Sequence, residues 1–327
     1  MLLMMFAAFS LLAWLAYYAY QPLVLPQIPL AFTLKHGTSL KGVAKQLTEA
    51  SILREPWSFI ALVRLFDKSK DIKAGSYELA ENVTPLQLFY KITRGDMSQL
   101  EIAFIEGWTF KQMRKALDSH PDVSHQTTGL SDAEILKQIG AEEVSAEGLF
   151  FPDTYYFAKG MKDIDVLKRA YRIMQTNLAD AWKGREAGLP FPHPYQALIM
   201  ASIVERETAK AAERPLIAGV FINRLRLGMK LQTDPTVIYG MGDNFDGNLR
   251  KQDLQTDTSY NTYTRQGLPP TPIAMPGLEA IAATLHPAQT SALYFVAKGK
   301  GEHHFSSSLA EHNQAVARYV KMQGAKN

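Results

Sequence analysis

From Met1 to Tyr20 the chain reads "MLLMMFAAFSLLAWLAYYAY", and no charged side chain appears before Lys35. An uncharged apolar run of this length matches the roughly 20 residues that cross a bilayer core as a helix, so a transmembrane anchor is expected over residues 1–20. The run exceeds the roughly 7–15 apolar residues of a cleaved signal peptide, and no charged segment precedes it. Trp14, Tyr17, Tyr18 and Tyr20 fall where an interfacial aromatic belt would lie. Residues 21–30, punctuated by Pro22, Pro26 and Pro29, read as an extended linker.

Beyond the linker the pattern alternates between short strands and amphipathic helices, which predicts a small α/β module over residues 31–97. "AFTLKHGTSL" reads as a strand turning at Gly37, with Thr38 or Ser39 capping the helix "LKGVAKQLTEA". A helix "EPWSFIALVRLF" and a strand "IKAGSYEL" follow. In "TPLQLFYKITRG", Thr84 caps, Pro85 takes the first helical position and Gly95 stops the helix. A boundary is expected near residue 98, and residues 98–327 form a larger, mainly helical domain with small sheets. That domain opens on the alternating strand "QLEIAFIEG", then a helix whose Thr109 and Gln112 stand at capping-box spacing. "AEEVSAEGLFFPDTYYF" reads as irregular and aromatic. "SALYFVAKGKGEHHFS" reads as two strands around a glycine turn. The fold class is therefore α+β.

Composition adds mainly exclusions. The chain has 327 residues, 46% of them hydrophobic, enough for two cores. A net charge of +3 with no extended Lys/Arg block gives nucleic acid no footprint. Absence of cysteine removes disulfides, thiolate metal sites and a thiol nucleophile. Lys35, Lys41, Lys45 and Arg54 follow the apolar run, but long domains translocate largely regardless of such charges, so charge alone leaves the side of the membrane open.

The stretch that carries chemistry is "ASIVERETAK", residues 201–210. From Tyr195 to Val204 the chain is apolar on nearly every face, and the run ends in Glu205, Arg206 and Glu207. At 100° per residue the two carboxylates point about 160° apart. Near a helix C-terminus the dipole and burial both disfavour a carboxylate, raising its pKa as a general acid requires. Pairing of both with Arg206, Lys210 or Arg214 on a solvated helix end is the alternative. Downstream, "KLQ" is extended, and Asp234–Pro235 opens a short helix that Gly240 is expected to close, Asp234 serving as cap or as ligand. The polar loop "TSYNTYTRQGLPPTPIAMPG" offers Tyr260, Asn261 and Tyr263 as amide and aromatic partners for a sugar, or as turn chemistry. His303 and His304 with Glu302 suggest a metal, but adjacent strand residues face opposite ways and no HExxH occurs, so no metal and no other cofactor is expected. GxSxG and Gly-rich phosphate loops are also missing from the sequence.

Four segments, "EGLFFPDTYYF", "ASIVERETAKAAERPLIAGVFINRLRLGMKLQTDPTVIYG", "YNTYTRQGLPP" and "LYFVAKGKGEHHFS", together resemble the YceG-like, membrane-anchored endolytic murein transglycosylases. The resemblance runs over most of the chain beyond the anchor. It implies that residues 31–97 are a LysM-like module, longer than a simple LysM repeat, and that 98–327 is the catalytic domain. The family's single catalytic glutamate falls on Glu207, with Glu205 a structural or electrostatic neighbour. Gln232, Asp234, Tyr260, Asn261 and Tyr263 would line the cleft, with Glu205 beside them. Thr271 and Met275 stand where many relatives carry Gly and Asn.

The implied reaction cuts the β-1,4 bond between N-acetylmuramic acid and N-acetylglucosamine inside peptidoglycan strands without water, leaving 1,6-anhydro ends and terminating strand growth. One carboxyl would act first as acid and then as base, where ordinary glycosidases use two. The substrate places the domain in the periplasm on a single-pass anchor in the inner membrane, with peptidoglycan strands and peptidoglycan synthases as partners. A muramidase-like hydrolase, with Asp234 or Glu205 as base, would instead release reducing ends. A non-catalytic cell-wall scaffold would bind and release nothing.

Overall fold

The computed structural model describes residues 2–324 apart from 36, 98, 99 and 300. The boundary expected near residue 98 falls outside the described residues. In chain order the elements are α1 (Leu2–Tyr20), β1 (Leu30–Leu34), α2 (Leu40–Glu49), α3 (Trp57–Leu65), β2 (Gly75–Leu79), α4 (Pro85–Arg94), β3 (Leu100–Ala103), α5 (Phe110–Asp118), α6 (Asp132–Ile139), β4 (Thr154–Phe157), α7 (Asp163–Lys183), α8 (Pro194–Glu207), α9 (Arg214–Arg226), α10 (Asp234–Met241), α11 (Lys251–Gln255), α12 (Leu278–Leu285), β5 (Tyr294–Gly299), β6 (Glu302–Ser306) and α13 (Leu309–Gly324). The fold is mixed α+β, mostly helical, with three two-stranded sheets among the described residues. Two compact units divide the chain: residues 1–101 with 156–160, and residues 102–155 with 161–327.

In the first unit β1 and β2 pair antiparallel, Phe32 opposite Tyr77, with the two rings stacked at 5.4 Å. Alternation puts Leu30, Phe32 and Leu34 on the buried face. Against it lie Val43, Ala44 and Leu47 of α2, Phe59 and Val63 of α3, and Leu88, Phe89 and Ile92 of α4. Ser39 caps α2, and a Thr84–Gln87 capping box opens α4, which ends on left-handed Gly95. The sequence β1-α2-α3-β2 thus wraps two helices onto one antiparallel strand pair.

α1 carries no charged side chain, and its buried positions Leu15 and Ala19 belong to a helix that packs against α3 and α4. Among the described residues no helix is long and apolar enough to cross a membrane. The transmembrane span expected over residues 1–20 is therefore not confirmed there. Trp14, Tyr17 and Tyr18 line a concavity of about 580 Å³ in its own unit, although Trp14, Tyr17 and Tyr20 stay largely exposed.

In the second unit α8 is the central rod. Its buried residues run without a break from Ala197 to Val204, because α7, α9, α10 and α12 surround it. Ser202, the one polar residue in that run, is satisfied: its hydroxyl donates to the Ile199 carbonyl at 2.7 Å and accepts the Ile273 N–H at 3.0 Å. Two local expectations change. The segment read as irregular contains β4, which pairs with β3, and α10 runs past Gly240 to Met241, ending where Gly242 turns to φ 56°.

Candidate active site

Because α8 is buried almost to its end, its last turn delivers Glu205 and Glu207 against packed neighbours rather than into open solvent. Their surroundings differ. The Glu205 side chain is 5% exposed; one oxygen accepts Arg214 Nη2 at 2.9 Å and the other the Gly277 N–H at 2.9 Å. Arg214 also donates to Glu279 at 2.6 Å and lies 3.8 Å from Glu106, while its Nε has no partner among the described residues. Burial pushes the Glu205 carboxyl up, Gly277 and Arg214 pull it down, and Glu106 and Glu279 raise it. A Cβ at position 277 would meet the Glu106 carboxyl, a half-exposed side chain that would have to move aside.

Glu207 is half-buried and meets a single hydroxyl: Thr233 Oγ1 donates to its Oε2 at 2.6 Å. Thr233, the N-cap residue of α10, is held from three sides. Its N–H goes to Thr262 Oγ1 (3.1 Å), its carbonyl accepts Thr236 Oγ1 (2.8 Å), and the Thr236 and Thr262 hydroxyls join at 2.8 Å. Arg224 fixes the approach to this cap through the carbonyls of Lys230, Leu231 and Leu293. Gln232, at φ 49°, is one of three non-glycine residues in the left-handed region among those described, and its N–H is tied to the Thr262 carbonyl. Burial holds the Glu207 carboxyl above the usual carboxylate range. The Asp234 charge adds to that, while the Thr233 hydrogen bond and the His303 charge oppose it. A carboxyl that holds its proton more tightly than an ordinary one, with one donor ready to stabilise its anion, can give a proton and take one back.

The other expected residues separate into two groups. Asp234 is exposed and accepts the Tyr263 hydroxyl at 2.6 Å, which places both beside the Glu207–Thr233 contact; Tyr263 feels the Glu207 charge directly. Tyr260 donates to or accepts from Thr271 at 2.9 Å and packs edge-on against Tyr239. Asn261 is 1% exposed, and its amide is spent on the carbonyls of Asp253, Leu254 and Thr256 at the end of α11, so it shapes the loop from inside. Sequence reasoning passed over Thr233, whose hydroxyl could be recognised only from the fold. It also passed over Glu147, a 6% exposed carboxyl in "AEGLFFPDT" that accepts the Phe110 N–H and the Tyr239 hydroxyl and is pushed up to about 7 by burial.

His303 and His304 do face opposite ways. His303 takes Glu213 as partner, and His304 lines a concavity of about 610 Å³ between the β5–β6 hairpin and α13. Glu207 is not among the residues lining either concavity. Asp118, His125 and Asp163 bring ligand atoms within 4.8 Å of one another, but the Asp163 oxygens already accept N–H groups of Gln126, Thr127 and Ile164.

A sequence model of the YceG-like family matches residues 32–318. A Bacillus subtilis protein named endolytic murein transglycosylase is 32% identical over 307 residues, covering 89% of this chain and 84% of its own length. A Streptococcus pneumoniae protein of the same name is 24% identical, and the match takes 88% of this chain but 58% of that protein. A crystal structure of a YceG-like protein from Listeria monocytogenes superposes with a TM-score of 0.56 at 27% identity, over 88% of this chain and 98% of that one.

Proposed function

Since the chain belongs to the YceG-like family, we propose that it is an endolytic murein transglycosylase in which Glu207 is the single acid–base residue. The observation that carries the reading is the environment of Glu207: a carboxyl raised by burial, touched by one hydroxyl and by no cation within ion-pair distance among the described residues. Glu207 protonates the glycosidic oxygen between N-acetylmuramic acid and N-acetylglucosamine, and the bond to C1 breaks. The resulting carboxylate then accepts the proton of the muramyl C6 hydroxyl as O6 closes onto C1, which leaves a 1,6-anhydro end and regenerates the acid. No water is consumed, and no second carboxyl is required. Asp234, Tyr263 and Gln232 border the sugar beside Glu207; Tyr260 is held further along the same loop.

The reading extends to the setting of the reaction. The uncharged helix α1 serves as a single-pass anchor in the inner membrane, and the catalytic unit lies in the periplasm with its substrate. The β1-α2-α3-β2 arrangement acts as a LysM-like module that holds glycan. Cuts made inside strands close to the membrane end their elongation, and a peptidoglycan synthase is the natural partner. The support is the sequence of residues 1–34, the chemistry of the substrate and the order of elements in the first unit.

The test is mass spectrometry of muropeptides released from purified glycan strands by the full-length protein in detergent. Anhydro-muramyl ends are expected. Reducing ends would replace the transglycosylase by a hydrolase, and binding of sacculi without any release would leave a scaffold.

A further inference from the structure

The β5–β6 hairpin packs on α13, and the concavity of about 610 Å³ between them falls in the roughly 300–1,000 Å³ range of sites that take small ligands. Its floor is small and apolar: Val296 and Ala297 come from β5, and the 5% exposed Ala315 from α13. Its rim is cationic. Ala315, Arg318 and Lys321 follow one another at three-residue steps along one face of α13, and Lys298 stands on the β5 side.

The charge on this rim is not answered from within. Residues 294–321 hold two carboxylates, Glu302 and Glu311. Glu302 is shared by Lys210 at 2.7 Å and Lys298 at 3.2 Å, while Glu311 accepts the Ser307 N–H and hydroxyl at the start of α13. Arg318 and Lys321 are exposed and have no hydrogen-bond or ion-pair partner among the described residues. Two uncompensated cations thus stand over a floor sized for methyl groups. The complementary ligand is a short peptide with free carboxylates and small side chains.

The same hairpin is fastened to the chain that continues α8. Beside the Lys210–Glu302 contact, Glu213 accepts the His303 N–H at 3.0 Å with one oxygen and lies 2.7 Å from His303 Nδ1 with the other. Neighbouring residues of β6 face opposite ways, so His303 meets this clasp while His304 lines the concavity. Glu213 comes six residues after Glu207. A ligand seated on the hairpin is therefore held on a piece of structure tied to the backbone that carries the acid.

We propose that this concavity receives the peptide stem borne by the muramyl residues of the strand: its carboxylates meet Arg318 and Lys321, and its alanyl methyl groups rest on Val296, Ala297 and Ala315. The stem branches from the lactyl group of N-acetylmuramic acid, is rich in alanine and carries free carboxylates, which is the chemistry the site selects. This rests on peptidoglycan being the substrate. It gives the enzyme a preference for strands that keep their peptides and asks nothing of the acid–base step.

The full-length protein is assayed for release of anhydro-muramyl ends from glycan strands that keep their stems and from the same strands stripped by an amidase. On stem-bearing strands kcat/KM should be about three- to tenfold higher, the scale of two exposed ion pairs, with the difference lying in KM and shrinking as salt is raised. Arg318→Ala combined with Lys321→Ala should bring that ratio to about one. Ala297→Leu, which fills the floor and leaves both cations, should lower it as well. The basic limb of the rate–pH profile, which reports the acid, should stay in place in both variants. A parent that does not distinguish the two substrates, an unchanged ratio in the double variant or a moved limb would overturn the proposal. An unchanged ratio in Ala297→Leu would do so too, leaving only general attraction between a basic surface and an acidic polymer. Loss of binding to anionic phospholipid vesicles in the double variant, with the ratio unchanged, would give the surface to a membrane instead. Melting curves identify a misfolded variant, and the other then decides. Absence of anhydro ends from both substrates would remove the transglycosylase reading itself; co-sedimentation with sacculi before and after stripping then supplies the ratio, which keeps the two failures apart.

Discussion

Glu205 and Glu207 leave the same helix two residues apart, and burial pushes both carboxyls upward. On the Glu205 side the fold answers with a guanidinium and a backbone N–H, and draws two more glutamates around that guanidinium. On the Glu207 side it answers with one hydroxyl and sets the negative Asp234 nearby. Desolvation alone therefore does not single out an acid. What separates the two is how completely the anion is satisfied: an ion held by full-strength partners is committed to structure, whereas one with a single donor stays poised between its two protonation states.

Four substitutions break or sharpen this contrast. The largest effect is expected for Glu207→Gln, which keeps the shape but cannot carry the proton. Anhydro-muropeptide release should fall at least about a thousandfold, since each proton-transfer role is worth about 10²–10⁴, with the melting curve retained. If Glu205→Gln were dead and Glu207→Gln active, the two assignments would exchange. Next, Arg214→Met would strand the buried Glu205 carboxylate; denaturant titration should show a loss of roughly 3 kcal/mol, in line with breaking a buried pair from one side. A loss under about 1 kcal/mol would show that Glu205 is protonated in the fold. Thr233→Val removes the donor to Glu207 at nearly constant volume. It should lower kcat about tenfold, the worth of one hydrogen bond to a charged group, and move the basic limb to higher pH because the anion loses its stabiliser. An unshifted limb would mean that this hydroxyl merely caps α10. The smallest effect should come from Glu205→Gln, whose amide oxygen can still accept the Gly277 N–H while Arg214 keeps Glu279; release within about tenfold of the parent is expected.

The parts of this picture legible in the sequence are those with local causes. Ser39, Thr84 and Thr109 cap helices because the bonds they make span three residues, and the run before Glu205, apolar on nearly every face, reads as an interior helix. The same reasoning left the carboxylates undecided, and the fold divides the answer: Glu205 pairs with Arg214, one of the three bases considered, while Glu207 contacts none of them. That outcome depends on partners far away in the chain. Gly277 is 72 residues from Glu205, and His303 is 90 from Glu213, separations across which no periodicity carries information. β4 was hidden for a related reason: only four residues long, and aromatic on both faces, it shows its alternation only once β3 lies beside it.

Glu147 carries the last consequence. Wedged between the Phe110 N–H at the start of α5 and the Tyr239 hydroxyl of α10, its carboxyl is pushed up to about 7, against an ordinary value of 4.5. Between those two pH values the folded protein keeps a proton that the unfolded chain has released. Stability from this group is thus fully present below about pH 4.5 and drains away as pH rises toward 7, by about 3 kcal/mol in total, a slope readable by denaturant titration across that range. Unfolding near neutrality sheds this proton into solvent. Glu147 is in that sense a proton store inside the fold, opposite in sign to Asp257, whose contribution is lost as the medium turns acid.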